Sequence, residues 1–315
     1  MTQTVTPETY IRAEVDGRFA LFQQRAGGVN AFYLIPRPVP TDEQPVVRMN
    51  RDTLYGGSVI DTSAGARVYV PEVTDGRYHS LFVIDNDHYV LDVIHEPGWH
   101  EISSPTRYCC AVPRVELKDM HDEDEIALVS EILHQFKIEA GSAEPFPAPD
   151  WDFDSMFALR AEYEQEFRTF AQYPADWMDR RGAANDETRH LAAAGAWGLF
   201  PEQEAVYINY TGPRDATKAY VATYEVPPND AFWSIAVYGE DAFFHSMNAT
   251  LSPETTTFND DGTFTVYFGS ADLVGDKPNR LDISEGWNFL MRAYQPGAEV
   301  LARKYTLPDV TEYAG

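Results

Sequence analysis

The chain has 315 residues, 44% hydrophobic and 13% aromatic, which exceeds what one compact core organises and points to two or three domains. Its 50 acidic against 24 basic residues give a net charge of −26, which argues against nucleic-acid phosphate or an anionic membrane surface as partner. The basic residues are mostly arginine, with lysine only at Lys118, Lys137, Lys218, Lys277 and Lys304, a composition that stays solvated at high salt without identifying the source.

The first segment, from Ile11 through Val15, Phe19 and Phe22, repeats apolar residues at helical spacing. Pro7 after Thr6 suits its start and Gly27-Gly28 its stop. It begins with neither a basic region nor an apolar core of a leader, and no run approaches the ~20 apolar residues of a membrane span. The expectation is a soluble, cytoplasmic protein with a helix over 1–30.

From about Val46 to Val112 the pattern changes to short β-type runs, S-V-I-D, A-R-V-Y-V-P, Y-H-S-L-F-V-I-D, Y-V-L-D-V-I and R-Y-C-C-A-V, separated by turn-forming T-S-A-G and T-D-G. This spacing predicts a small sandwich over 31–115. Cys109 and Cys110 are adjacent, so they cannot staple distant parts of the fold, and they read as reduced core residues. The region 116–200 reads as helical, with Ile126, Val129, Leu133 and Phe136 in one stripe and Phe157, Phe167 and Phe170 in another, around the linker A-E-P-F-P-A-P-D. Over 201–315 strand runs return, and Asn259-Asp260-Asp261-Gly262 before Phe264 signals a tight turn. This part predicts a second sandwich or jelly roll.

Chemistry-bearing residues concentrate in V-R-M-N-R-D-T-L-Y-G-G, residues 47–57. Arg48, Asn50, Arg51, Asp52 and Tyr55 lie within eight positions, and Gly56-Gly57 permit close backbone approach. One reading makes them a pocket wall; the rival makes them an interdomain ion-pair network. Asp85, Asp87 and His88 end a strand, where they can act as acid, base or ligand, or simply form an Asx-type turn. Together with His95 and His100 they are metal-ligand types, but no H-E-x-x-H or H-x-H spacing occurs, so no metal is assigned and the cofactor stays unknown. No G-x-S-x-G, G-x-G-x-x-G or P-loop is present. In W-N-F-L-M-R-A-Y, Arg292 sits between apolar strand residues, where it is expensive to bury unpaired and must meet a carboxylate or an anionic ligand.

The segments N-R-D-T-L-Y (Asn50 to Tyr55), F-W-S with Tyr238 (Phe232 to Tyr238), N-D-D-G (Asn259 to Gly262) and W-N-F-L-M-R-A-Y-Q-P (Trp287 to Pro296) together resemble a family that pairs the domains of unknown function 1254 and 1214. The resemblance spans nearly the whole chain. It implies a multidomain α+β protein with an immunoglobulin-like N-terminal β-sandwich, a helical middle domain and a C-terminal jelly-roll-like β-sandwich, and it supplies no reaction. Many longer members of that family are exported, a role that the leaderless start of this chain does not favour. The functional expectation is a small-molecule-binding protein or enzyme with its site between the two β domains. Asp85, His88 and Tyr55 would be its catalytic groups. Arg48, Asn50, Arg51, Asp52, Trp233, Ser234, Tyr238 and Arg292 would hold a compact polar or carboxylate-bearing ligand. The alternative is a non-catalytic interaction or carbohydrate-binding protein, and a homo-oligomer stays open in either case.

Overall fold

The first helix, Tyr10–Ala26, follows a Thr6–Thr9 turn rather than starting at Pro7, and it stops at Gly27, whose φ of 77° lies in the left-handed region. Its inner face carries Tyr10, Ala13, Val15 and Phe19, and it also buries two carboxylates, Glu14 and Asp16. Glu14 accepts Arg160 Nε at 2.7 Å, and Asp16 Oδ2 accepts the Trp151 indole N–H at 2.9 Å while its Oδ1 is buried without a partner. The computed structural model of the protein describes residues 2–44, 47–210 and 212–314. Pro45 and Val46, where the strand-rich region was expected to open, lie outside the described residues.

The N-terminal half is built on a five-stranded antiparallel sheet in the order Phe32–Ile35, Thr53–Asp61, Tyr108–Glu116, His79–Asp85, Val90–Ile94. A three-stranded sheet, Gly98–Ile102, Ala66–Val70 and Lys137–Ala140, packs with it. The period of two along a strand sends neighbouring side chains to opposite faces. Here the two faces serve two different cores. Cys109, Ala111 and Val115 pack with Val68, Leu81 and the helix Glu123–Leu133, whereas Cys110 and Val112 pack toward Phe19, Phe200 and the C-terminal half. The central strands are therefore buried on both sides, and the sheet is a shared wall. Burial pushes the Cys110 thiol up to about 12 and the Cys109 thiol higher still, consistent with inert core residues.

The stretch 116–200, expected to be a helical domain with a proline-rich linker, divides. Glu123–Leu133, capped by the Asp122 carboxylate on the Asp124 N–H, completes the N-terminal core, and Lys137–Ala140 is a strand of its smaller sheet. Phe153–Phe167 and His190–Gly195 instead pack on the first helix through Met156, Ala193 and Ala194. Phe157 leaves its expected core stripe: it is 50% exposed and stacks on Phe153, because the buried side of its helix presents Met156 and Phe167.

The C-terminal half holds two four-stranded sheets, Ala205–Asn209, Asn288–Tyr294, Trp233–Tyr238, Thr250–Leu251 and Arg280–Leu281, Phe264–Phe268, Tyr220–Tyr224, Thr311–Glu312. Trp233 stacks on Phe264 with centroids 4.3 Å apart, so this side of its strand faces the second sheet. The opposite side, where Tyr207, Arg292 and Ser234 are aligned across three strands, faces the N-terminal half. The protein is thus α+β with mostly antiparallel sheets, none closed into a barrel, and six helices among the described residues. No described helix is long and apolar enough to cross a membrane.

Candidate functional site

A cavity of about 180 Å³ lies where the first helix, the shared sheet, residues 47–50, residues 194–199 and the Asn288–Tyr294 strand meet. Close packing around it needs glycine at two places. A Cβ on Gly56 would lie 2.4 Å from the Tyr33 carbonyl oxygen, and one on Gly195 would lie 2.4 Å from the Phe167 ring.

The polar lining is unusual for a protein of net charge −26: it contains five arginines, Arg18, Arg25, Arg48, Arg114 and Arg292, and among the described residues no Asp, Glu, His or Lys. None of the five has an ion-pair partner among the described residues. Elsewhere every arginine except Arg51 and Arg214 has one. Arg292 is 3% exposed; its Nη2 donates to the Arg48 carbonyl at 3.0 Å and to the Tyr238 hydroxyl at 2.8 Å, and its Nη1 is buried without a partner. Arg114 lies 4.3 Å over the Phe200 ring with a buried, unpartnered Nε. Arg48, held at a φ of 54°, reaches Asn288 at 3.3 Å.

The charges of Arg114 and Arg292 lower the Tyr207 phenol, and those of Arg48 and Arg292 lower that of Tyr173. Burial nonetheless raises Tyr55, Tyr173 and Tyr207 above the ordinary phenol value, so all three remain protonated donors at neutral pH. Of the five arginines, Arg292 alone is fully buried, and the charge of Asp52, which makes no ion-pair contact with it, helps to hold it protonated.

Of the residues expected from the sequence, Arg48, Asn50, Tyr55 and Arg292 line this cavity. Asp85 does not. It is fully buried, with Oδ1 accepting the N–H groups of Asp87 and Tyr89 at 2.8 and 3.0 Å and Oδ2 accepting Arg181 at 2.7 Å, so it closes an Asx-type turn with no oxygen free for acid–base work. His88 does not line it either, although it buttresses the wall: its Nε2 accepts the Gly198 N–H at 3.2 Å and its ring stacks on Trp197 at 5.5 Å. Burial, with Arg189 nearby, pulls the imidazole down to about 3, so it stays neutral and positions the loop.

Arg51 and Asp52 turn away to join the two halves. Arg51 donates to the carbonyls of Ser246 at 2.8 Å and Val39 at 3.0 Å, and Asp52 accepts the hydroxyls of Ser234 and Tyr294. Their hydrogen-bond partners are neutral, unlike the ions of the rival network, although the charge of Asp52 favours that of Arg292 without an ion-pair contact. Trp233 faces the C-terminal core, and Tyr238 stands behind the wall, donating to the Met49 carbonyl at 2.6 Å. A second cavity, about 230 Å³, opens beside Arg51 and Asp52, where Arg280 is already paired with Asp282.

The suggested metal ligands are dispersed into other contacts: Asp87 with Arg12 and Arg181, His95 with Glu204 at 2.8 Å, and His100 with the Glu96 carbonyl at 2.7 Å. No group of three or more His, Cys, Asp or Glu among the described residues is placed to hold a metal ion.

Sequence reasoning missed Arg18, Arg114 and Trp197. The signal for Arg114 was present in C-A-V-P-R-V-E, an arginine between apolar strand residues, as at Arg292.

Comparison with protein families matches residues 29–140 to a protein of unknown function, DUF1254, and residues 209–298 to a second, DUF1214. No curated protein matches the chain. Among solved structures, the VPA0106 protein from Vibrio parahaemolyticus is similar with a TM-score of 0.67 at 18% identity, over 97% of this chain and 98% of that one. An uncharacterised protein from Burkholderia cenocepacia is similar with a TM-score of 0.55 at 17% identity, over 97% of this chain and 86% of that one. At these identities the likeness concerns the fold.

Proposed function

Taking as premise that the chain belongs to the family joining a DUF1254 to a DUF1214 domain, we propose that it binds a compact organic anion in the arginine-lined cavity between its two halves. One observation carries this reading: the Arg114 and Arg292 side chains, one from each half, line the cavity without an ion pair, and each keeps a buried N–H group with no partner. A carboxylate or phosphate oxygen supplies the missing acceptor, and arginine's planar fork suits it. Arg48, Arg114 and Arg292 hold the anion, with Asn50 and the Tyr55 and Tyr207 phenols as neutral donors. Val112, Leu199 and Leu290 receive an apolar body.

The volume of about 180 Å³ is near that of the ~150 Å³ engineered cavity that accommodates benzene, so the ligand carries about one ring or its aliphatic equivalent. With Asp85 and His88 engaged elsewhere, the lining favours binding over acid–base catalysis. In the same reading the paired N-terminal sheets are immunoglobulin-like and the paired C-terminal sheets jelly-roll-like.

The test is a thermal-shift screen of small carboxylates and phosphates, repeated on the Arg114→Met/Arg292→Met double variant. A ligand at 100 times its Kd adds about 2.7 kcal/mol of stability. Stabilisation by a member of the panel that the double variant loses is expected. No stabilising anion, or equal stabilisation of the variant, overturns the proposal.

A further inference from the structure

The cavity has a second cationic region that a single anion on Arg48, Arg114 and Arg292 leaves unused. Arg18, Leu21, Phe22 and Arg25 follow one another at i, i+3, i+4 and i+7 on the first helix, so they share its cavity-lining face. Arg25 Nη1 donates to the Tyr33 hydroxyl at 2.8 Å. Arg18 has neither a hydrogen bond nor an ion pair among the described residues; its guanidinium lies 5.9 Å from the Trp197 ring. Glu14, whose charge favours that of Arg18, is itself paired with Arg160. Trp197 adds a buried indole N–H without a partner.

The two cationic groups come from different elements: Arg18 and Arg25 from the first helix, and Arg48, Arg114 and Arg292 from the segment 47–50 and the strands Tyr108–Glu116 and Asn288–Tyr294. The rest of the lining includes an apolar and aromatic set, Phe22, Tyr33, Ile35, Val112 and Leu199.

From this arrangement, and resting on the anion-binding reading above, we infer that the ligand is a dianion. One anionic group sits on Arg48, Arg114 and Arg292, an apolar body crosses the middle, and a second anionic group meets Arg18 and the Trp197 N–H. The shared chemistry is a dicarboxylate whose two carboxylates are joined by one ring or by a chain of about four carbons. A monoanion satisfies one end and leaves Arg18 unpaired. Arg18 is accordingly a specificity-determining residue, selecting two charges over one.

The test is calorimetric titration of the full chain with two matched pairs, benzoate against terephthalate and hexanoate against adipate. The aromatic and aliphatic pairs distinguish the body, and within each pair only the second carboxylate differs. The dianion of at least one pair is expected to bind about tenfold or more tighter than its monoanion, the increment of one additional buried charge-assisted contact. Arg18→Met should erase that difference and Arg18→Lys should retain part of it, with cooperative melting of each variant confirming the fold. Equal affinity within both pairs overturns the dianion inference while leaving the anion cavity standing. A dianion advantage that survives Arg18→Met overturns the role of Arg18. Failure of all four probes to bind overturns the dicarboxylate inference, and the thermal-shift screen then decides separately on the anion-binding reading.

Discussion

Arg77 and Arg114 are both arginines of the N-terminal half, and they are treated in opposite ways. The Arg77 side chain is 2% exposed, yet its donors are occupied: Nε meets Asp75 at 2.7 Å, Nη1 meets Glu125 at 2.9 Å and the Glu116 carbonyl at 3.1 Å, and Nη2 meets Glu125 at 3.2 Å. Arg114 lies against aromatic rings at the cavity with Nε unpartnered and no carboxylate in contact. The first arrangement locks the end of a strand to the helix Glu123–Leu133. The second leaves a buried donor unmet, which is the gap that the proposed anion would fill. Burial of a charge therefore does not by itself reveal its role; the state of its partners does.

The largest break in this contrast is expected from Arg77→Met, which leaves the carboxylates of Asp75 and Glu125 without their cation and should lower stability by about 3 kcal/mol in urea unfolding. A loss below ~1 kcal/mol would make Arg77 equivalent to an exposed pair.

Glu116 offers an anionic counterpart. It is 5% exposed and its carboxylate accepts the Tyr78 N–H at 2.8 Å, while burial, with Glu254 nearby, pushes its carboxyl up to about 7. A folded-state value above the unfolded one means the folded protein binds the extra proton, so this stability is present below about pH 4.5 and is lost as pH rises toward 7. His88 has the opposite sign. Its folded value near 3 lies below the ordinary 6.5, so its contribution is present above 6.5 and lost as the pH falls toward 3. Relative to the parent, Glu116→Gln should gain on the order of 2 kcal/mol between pH 5 and 8. His88→Asn, a residue that tolerates the positive φ, should gain relative stability as the medium is acidified. Melting curves across pH check both; parallel curves for parent and variant would remove the corresponding group from the account.

A smaller effect, with reversed sign from Arg77, is expected at the cavity. Arg114→Met removes an unpaired charge from a like-charged lining and should leave the ligand-free protein unchanged or about 1 kcal/mol more stable. A loss of 3 kcal/mol there would mean that Arg114 is structural after all. The smallest change belongs to Arg37→Ala: its bond to Glu123 at 2.7 Å joins two well-exposed side chains, and the cost should stay within about 0.5 kcal/mol.

The sequence made the alternation of the strands and the helix ending at Gly27 legible because both rest on local periodicity and turn chemistry. It also marked Arg48, Asn50, Tyr55 and Arg292, whose polar groups stand among apolar or glycine-rich neighbours. It could not divide the segment 48–55 between cavity and seam, because residues from the distant strands Trp233–Tyr238 and Asn288–Tyr294 decide which side chain finds a partner. Asp85 looked catalytic because a strand end with two aspartates and a histidine reads alike for an active site and for a turn. Only Arg181, 96 residues away, distinguishes them. Arg18 was hidden for another reason: an arginine on an amphipathic helix is ordinarily solvated, and its position over Trp197 depends on a loop some 180 residues later in the chain.

Within the 48–55 segment, Arg48, Asn50 and Tyr55 reach the cavity while Arg51 and Asp52 hold the C-terminal half through Ser246, Ser234 and Tyr294. Anything that fixes one set of side chains restrains the backbone of the other. Ligand occupancy should consequently register far from the ligand, as slower amide hydrogen exchange along Trp233–Tyr238. Neither half expressed alone could reproduce the site, since each carries only part of its cationic lining.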